Sequence, residues 1–302
     1  MAVDDRDALE VLEERVRAIL PEEYQGSYEV VQPVSMRSAG LKYGIDGRVA
    51  WDEIWGSFCD LAMAGGPPHK GMLLQPGAPE EIDAQRLQYN DVVKEICRGV
   101  TMVTGLEAAP SPKAGWVRVT CHNEAMAGWL ARAIVMENVS VRLEGNAIDL
   151  PAAPGYRLDK EIKNVVTVIA KTCHYWTGHM WDAQHRAIAD LFAGMAIAAP
   201  LIEPASATGE DESLYAAIAE AIHQQTGLDV SDHRYVGWLG LRCPSLRAAV
   251  WMMRMMVASN ILSRREGTVL FVPVNPAADP RGETVARCVK RIHGFAGAHG
   301  IL

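Results

Sequence analysis

The chain has 302 residues, 49% of them hydrophobic, enough to bury one large core or two moderate ones. A net charge of -8 and a pI near 5.6, with no block of Lys and Arg, argue against a nucleic-acid partner. No apolar run reaches the roughly 20 residues needed to cross a bilayer, so no membrane partner is expected.

The acidic start (Asp4, Asp5, Asp7) is unlike a signal peptide, and six dispersed cysteines without CxxC spacing read as free thiols. Both features point to a cytoplasmic setting. Leu9, Leu12, Val16 and Leu20 have helical spacing, and Pro21 ends that helix, so residues 1–26 read as an N-terminal helical decoration. Residues 28–34 read as a strand and 51–64 as a helix stopped by Gly65-Gly66-Pro67-Pro68. A short strand is expected at 72–74, then a long amphipathic helix over 82–103 closed by Gly105.

The next stretch organises the rest. Residues 115–154 read as strand, helix and strand, and they recur at 237–276 without a gap, at an offset of 122. Thirteen of the forty aligned residues are identical, among them Gly115/Gly237, Trp116/Trp238, Arg132/Arg254, Asn138/Asn260, Arg142/Arg264 and Gly145/Gly267. The helix of the first copy is expected to run from 124 to about 143, with Gly145 as its cap. Strand, helix and apolar strand in succession form a βαβ unit. The expected fold is therefore α/β, with internally duplicated βαβ-containing halves related by pseudo-twofold symmetry. Mainly parallel sheet would be flanked by helices. Residues 27–180 form the first repeat and 181–302 the second.

Ligands of open α/β sheets lie at the carboxyl ends of strands. In the first copy that edge carries Cys121, His122 and Glu124, where the second has Cys243, Ser245 and Leu246. Cys121 or His122 would serve as nucleophile or acid/base, and Glu124 as a carboxylate base. His69 and Lys70, in the Gly-Gly-Pro-Pro-His-Lys-Gly turn, would contact an anion, since glycines let backbone amides approach it. Arg142 and Arg264, present in both copies, suit either helix-end pairing or an anion clamp. His174 and His179, with Cys173 and His185 nearby, invite a transition metal or a tetrapyrrole. Five residues turn a helix by about 500°, however, which sets His179 off the His174 face.

Three readings stay open. The first is an enzyme or cofactor-processing protein acting on an anionic small molecule at a cleft between the halves. The second is a metal- or tetrapyrrole-binding carrier using His174 and His179. The third is a non-catalytic homo-oligomeric assembly protein.

Overall fold

The computed structural model describes residues 3–26, 40–54, 61–205 and 212–302. The strand expected at 28–34 lies outside them, as does the middle of the helix expected at 51–64, whose described ends are short 3-10 turns. The chain divides into two compact units, one built on residues 66–185 with 33–62, the other on 186–302 with 1–32 and 63–65. No helix among the described residues is long and apolar enough to cross a membrane.

Helices α1 (Val3–Ile19) and α2 (Glu22–Gln25) open the chain, the first ending just ahead of Pro21. The 66–185 unit begins with α3 (Pro79–Ala84) and α4 (Arg86–Thr104), and α4 ends on the left-handed Gly105. One face of α4 buries Tyr89, Val92, Val93, Ile96 and Val100, the spacing of an amphipathic helix. Gly99 lies on that face because a Cβ there would stand 2.7 Å from Val166 and 3.1 Å from the Trp51 ring. Strands β1 (Glu107–Pro110) and β2 (Trp116–Thr120) lead to α5 (Glu124–Met136), whose N-cap Asn123 accepts from the Met126 amide. The β3 (Arg142–Glu144) and β4 (Ala147–Pro151) hairpin follows, then a π turn at Leu158–Ile162 that runs into α6 (Lys163–Gly178).

Helix α7 (Asp182–Ala198) leads to the 186–302 unit, which repeats this order. It contains α8 (Glu212–Thr226), β5 (Trp238–Arg242), α9 (Leu246–Ala258), β6 (Arg264–Glu266), β7 (Val269–Pro273) and α10 (Glu283–Ala298). Helix α1 packs on α9 in this unit, where Arg15 Nη1 donates to the Ala258 carbonyl at 3.2 Å. Both α5 and α9 are buried on every face from their third residues onward, and the Met252, Met253, Met255 and Met256 group is core.

The mainly parallel sheet is not what forms. The units carry two small antiparallel sheets, ordered β1-β2-β4-β3 and β5-β7-β6. The physical reason is one extra reversal of the chain. The central helix stops at Met136, seven residues before the expected 143, and residues 142–144 are a strand. Gly145-Asn146 then make a two-residue hairpin turn, with Gly145 at φ 59° supplying the conformation such turns need. Because β3 intervenes, β4 returns antiparallel to β2 and pairs between β2 and β3, which run parallel to each other and are joined through α5 as a split βαβ unit. Gly145 is thus a hairpin residue, and the left-handed residue at the helix end is Asn138, at φ 61°.

The offset of 122 carries through the backbone: Asn138 and Asn260 have φ 61° and 63°, and Gly145 and Gly267 have φ 59° and 56°. Each asparagine also donates its side-chain amide to a carbonyl of the preceding segment, Lys70 at 2.8 Å and Ala199 at 2.9 Å. The sheet faces differ. Arg118 pairs across the strands with buried Asp149 at 2.9 Å, where the other unit has Gly240 and Phe271.

Candidate functional site

A buried polar cluster in the 66–185 unit centres on Glu137, which is fully buried at the end of α5. Its Oε1 accepts from the Ala62 amide at 2.9 Å and pairs with Lys171 Nζ at 2.8 Å, while Oε2 accepts from the His69 amide at 2.8 Å. The Lys70 amide donates to the Glu137 carbonyl at 3.2 Å. The glycine- and proline-rich turn therefore does bring an amide to an anion, but the anion is the chain's own carboxylate. A buried ion pair needs such extra hydrogen bonds to offset its desolvation.

Lys171 comes from α6, seven residues after Asn164, and that spacing puts both on one face of the helix. Asn164 Oδ1 accepts from His69 Nε2 at 3.0 Å, which fixes the imidazole proton on Nε2. Nδ1 is left with a lone pair that is buried and has no hydrogen-bond partner among the described residues. Burial first and the Lys171 charge second hold the His69 pKa at about 4, against the opposing pull of Glu137 and Asn164. The Lys171 ammonium is buried too, and it pairs with the Glu137 carboxylate at 2.8 Å. Burial also lowers the pKa of Lys70, which stands among the charges of Glu161, Lys160 and Arg157.

The cluster occurs in one unit only. Ser259 occupies the position of Glu137, and Ala199 accepts the amide bond that Lys70 accepts in the other unit. Matching the buried faces of α6 and α10 sets Val165, Ile169, Thr172 and Tyr175 against Val285, Val289, Ile292 and Phe295. Lys171 then falls on Arg291, which is exposed.

The other expected site residues are dispersed. Cys121 is buried, and desolvation, with a contribution from Cys173, pushes its thiol up to about 12. His122 and Glu124 are exposed beside the N-terminus of α5, and no hydrogen bond or ion pair joins either to Cys121 among the described residues. The five described cysteines are free. Arg264 is buried with its guanidinium carbon 4.0 Å from the Phe271 ring centre, 4.5 Å from Tyr235 and 5.2 Å from Trp238, and it pairs with Glu266 at 2.7 Å. Arg142 lies more loosely over Trp116, at 5.6 Å. Neither guanidinium sits at a helix end, since both belong to strands.

His174 and His179 do meet: their Nε2 atoms are 3.2 Å apart. The helix ends at Gly178, so His179 leaves the helical path (φ -119°, ψ -1°) and the 500° projection does not apply to it. His185 belongs elsewhere. It stacks on Trp176 at 4.2 Å and its Nε2 bonds the Trp176 carbonyl at 2.8 Å.

Sequence reasoning missed Glu137, Asn164 and Lys171. One signal was available: Lys171 is a lone charge in the run Val165-Val166-Thr167-Val168-Ile169-Ala170-Lys171-Thr172-Cys173, and a cation there calls for a buried anion. Neither family models, nor curated proteins, nor solved structures yield a match to this chain.

Proposed function

We propose that the chain binds a small anion beside His69, with Lys70 and Lys171 supplying positive charge. The observation that carries this reading is the His69 Nδ1 lone pair, buried without a partner among the described residues and next to a buried ammonium. Buried polar atoms of folded proteins are nearly always satisfied, and exceptions concentrate where water or a ligand belongs. The acceptor at Nδ1 selects a ligand with a hydroxyl or N–H group, and the two lysines select its carboxylate or phosphate. A hydroxycarboxylate or a phosphate monoester has both.

The reading is binding rather than turnover. General acid–base catalysis is most effective when the group's pKa lies near the working pH. His69 at about 4 and Cys121 at about 12 are both far from it. Glu137 already accepts two amides and an ammonium, so it is occupied with holding the loop.

The test is a thermal-shift screen of hydroxycarboxylates and phosphate monoesters against the wild-type chain, His69→Gln and Lys70→Met. A ligand that raises the wild-type Tm and loses that effect in both variants supports the reading. A ligand that stabilises all three proteins equally, or a wild-type chain that no member of the panel stabilises, overturns it.

A further inference from the structure

We infer that His174 and His179 form a two-imidazole site for a divalent transition-metal ion at the carboxyl end of α6, independent of the anion reading above. The Nε2 atoms are 3.2 Å apart, with ring centres at 5.0 Å and ring planes at 71°. Two nitrogens bound to one tetrahedral ion, at about 2.05 Å each, are separated by about 3.3 Å. The pair therefore already has the spacing of one edge of such a coordination sphere.

Two further features favour a cation here. The site sits at the end of a 16-residue helix, where the aligned peptide dipoles leave partial negative charge on the last carbonyls. Both residues are half-buried, and the Tyr175 ring lies beside His179, its centre 4.8 Å away. The carboxyl end of α6 also gives this pair its origin. A Cβ added at Gly178 would stand 3.5 Å from the His174 ring, and His179 caps the helix at φ -119°, its amide donating to the Tyr175 carbonyl.

Imidazole suits Zn2+, Cu2+ and Ni2+, and the order of affinities places Cu2+ first. No group of three or more His, Cys, Asp or Glu that could hold a metal occurs among the described residues. Water completes the coordination sphere, and the site is weaker than a closed structural zinc centre. A tetrapyrrole held between the two rings does not fit. Axial nitrogens on opposite faces of one iron lie in line, about 4 Å apart with bonds of about 2 Å, which is wider than this pair.

The experiment is isothermal titration of untagged, EDTA-treated and dialysed full chain with ZnSO4 and, separately, CuSO4 at pH 7.5. The variants are His174→Asn, His179→Asn and, as a control, His185→Asn. The expected result is one site in the wild type and in His185→Asn, weakened at least tenfold in each of the other two. Circular dichroism checks that the variants are folded, and His174→Gln replaces any that is not. The Cu2+ complex should show nitrogen hyperfine structure in its electron paramagnetic resonance spectrum, lost in both variants. Absence of uptake by the wild type overturns the inference, as does binding that survives both substitutions unchanged.

Discussion

Replacing Lys171 by Met is the most direct test of the buried cluster. The substitution keeps side-chain volume but removes the ammonium 2.8 Å from a carboxylate that is fully buried. Breaking a buried ion pair by deleting one partner typically costs about 3–5 kcal/mol, because the other charge is left in low dielectric. Glu137 retains the Ala62 and His69 amides, so the low end applies, about 3 kcal/mol. For a unit of roughly 150 residues that corresponds to a fall in Tm of about 6–12 °C. Calorimetry with Glu137→Gln and the double variant completes a cycle. Removing the second charge should restore part of the loss, with a coupling of about 2 kcal/mol between the two sites. If Lys171→Met costs less than about 1 kcal/mol, or the two losses simply add, the pair is not the electrostatic unit described above.

Stability should also depend on pH through His69, whose folded pKa is lowered from 6.5 to about 4. The unfolded chain then binds more protons between these values, so this contribution is present above pH 6.5 and is lost as the pH falls towards 4. The span is about 3 kcal/mol, and Tm measured across that window should be flatter in His69→Gln than in the wild type. The asparagine pair gives a third prediction. Asn260→Ala places a Cβ-bearing, non-hydrogen-bonding residue at φ 63° and deletes the 2.9 Å bond to the Ala199 carbonyl, a loss of about 2 kcal/mol. Asn260→Gly should recover the backbone part, as chemical denaturation will report, and Asn138→Ala should behave like its counterpart. Equal losses for Ala and Gly would remove the conformational argument.

The helices were the most legible part of the fold. The α1 and α4 patterns and the glycine at 105 record local rules, namely the 3.6-residue period and the left-handed residue past a helix end. The strand directions were not legible. An apolar helix followed by Val139-Ser140-Val141-Arg142-Leu143-Glu144 reads as continuous, and only the pairing of 142–144 with 147–149 reveals a strand. At the site, His69 and Lys70 stood out because glycine and proline surround them. Their partners Glu137, Asn164 and Lys171 are 68 to 102 residues beyond His69, and of these only Lys171, a lone charge in an apolar run, stands out by itself.

The chain's local chemistry was enough to mark the offset of 122, the helix ends and the turn that carries His69, because each depends on neighbours within a few residues. Whether a carboxylate, an ammonium and an imidazole share one buried space depends instead on how α5, α6 and the 66–71 turn pack. Desolvation then fixes the outcome: it makes Glu137 and Lys171 a pair, holds His69 neutral, and pushes the Cys121 thiol up to about 12. Burial is a property of the packed tertiary structure, and no spacing along the chain encodes it.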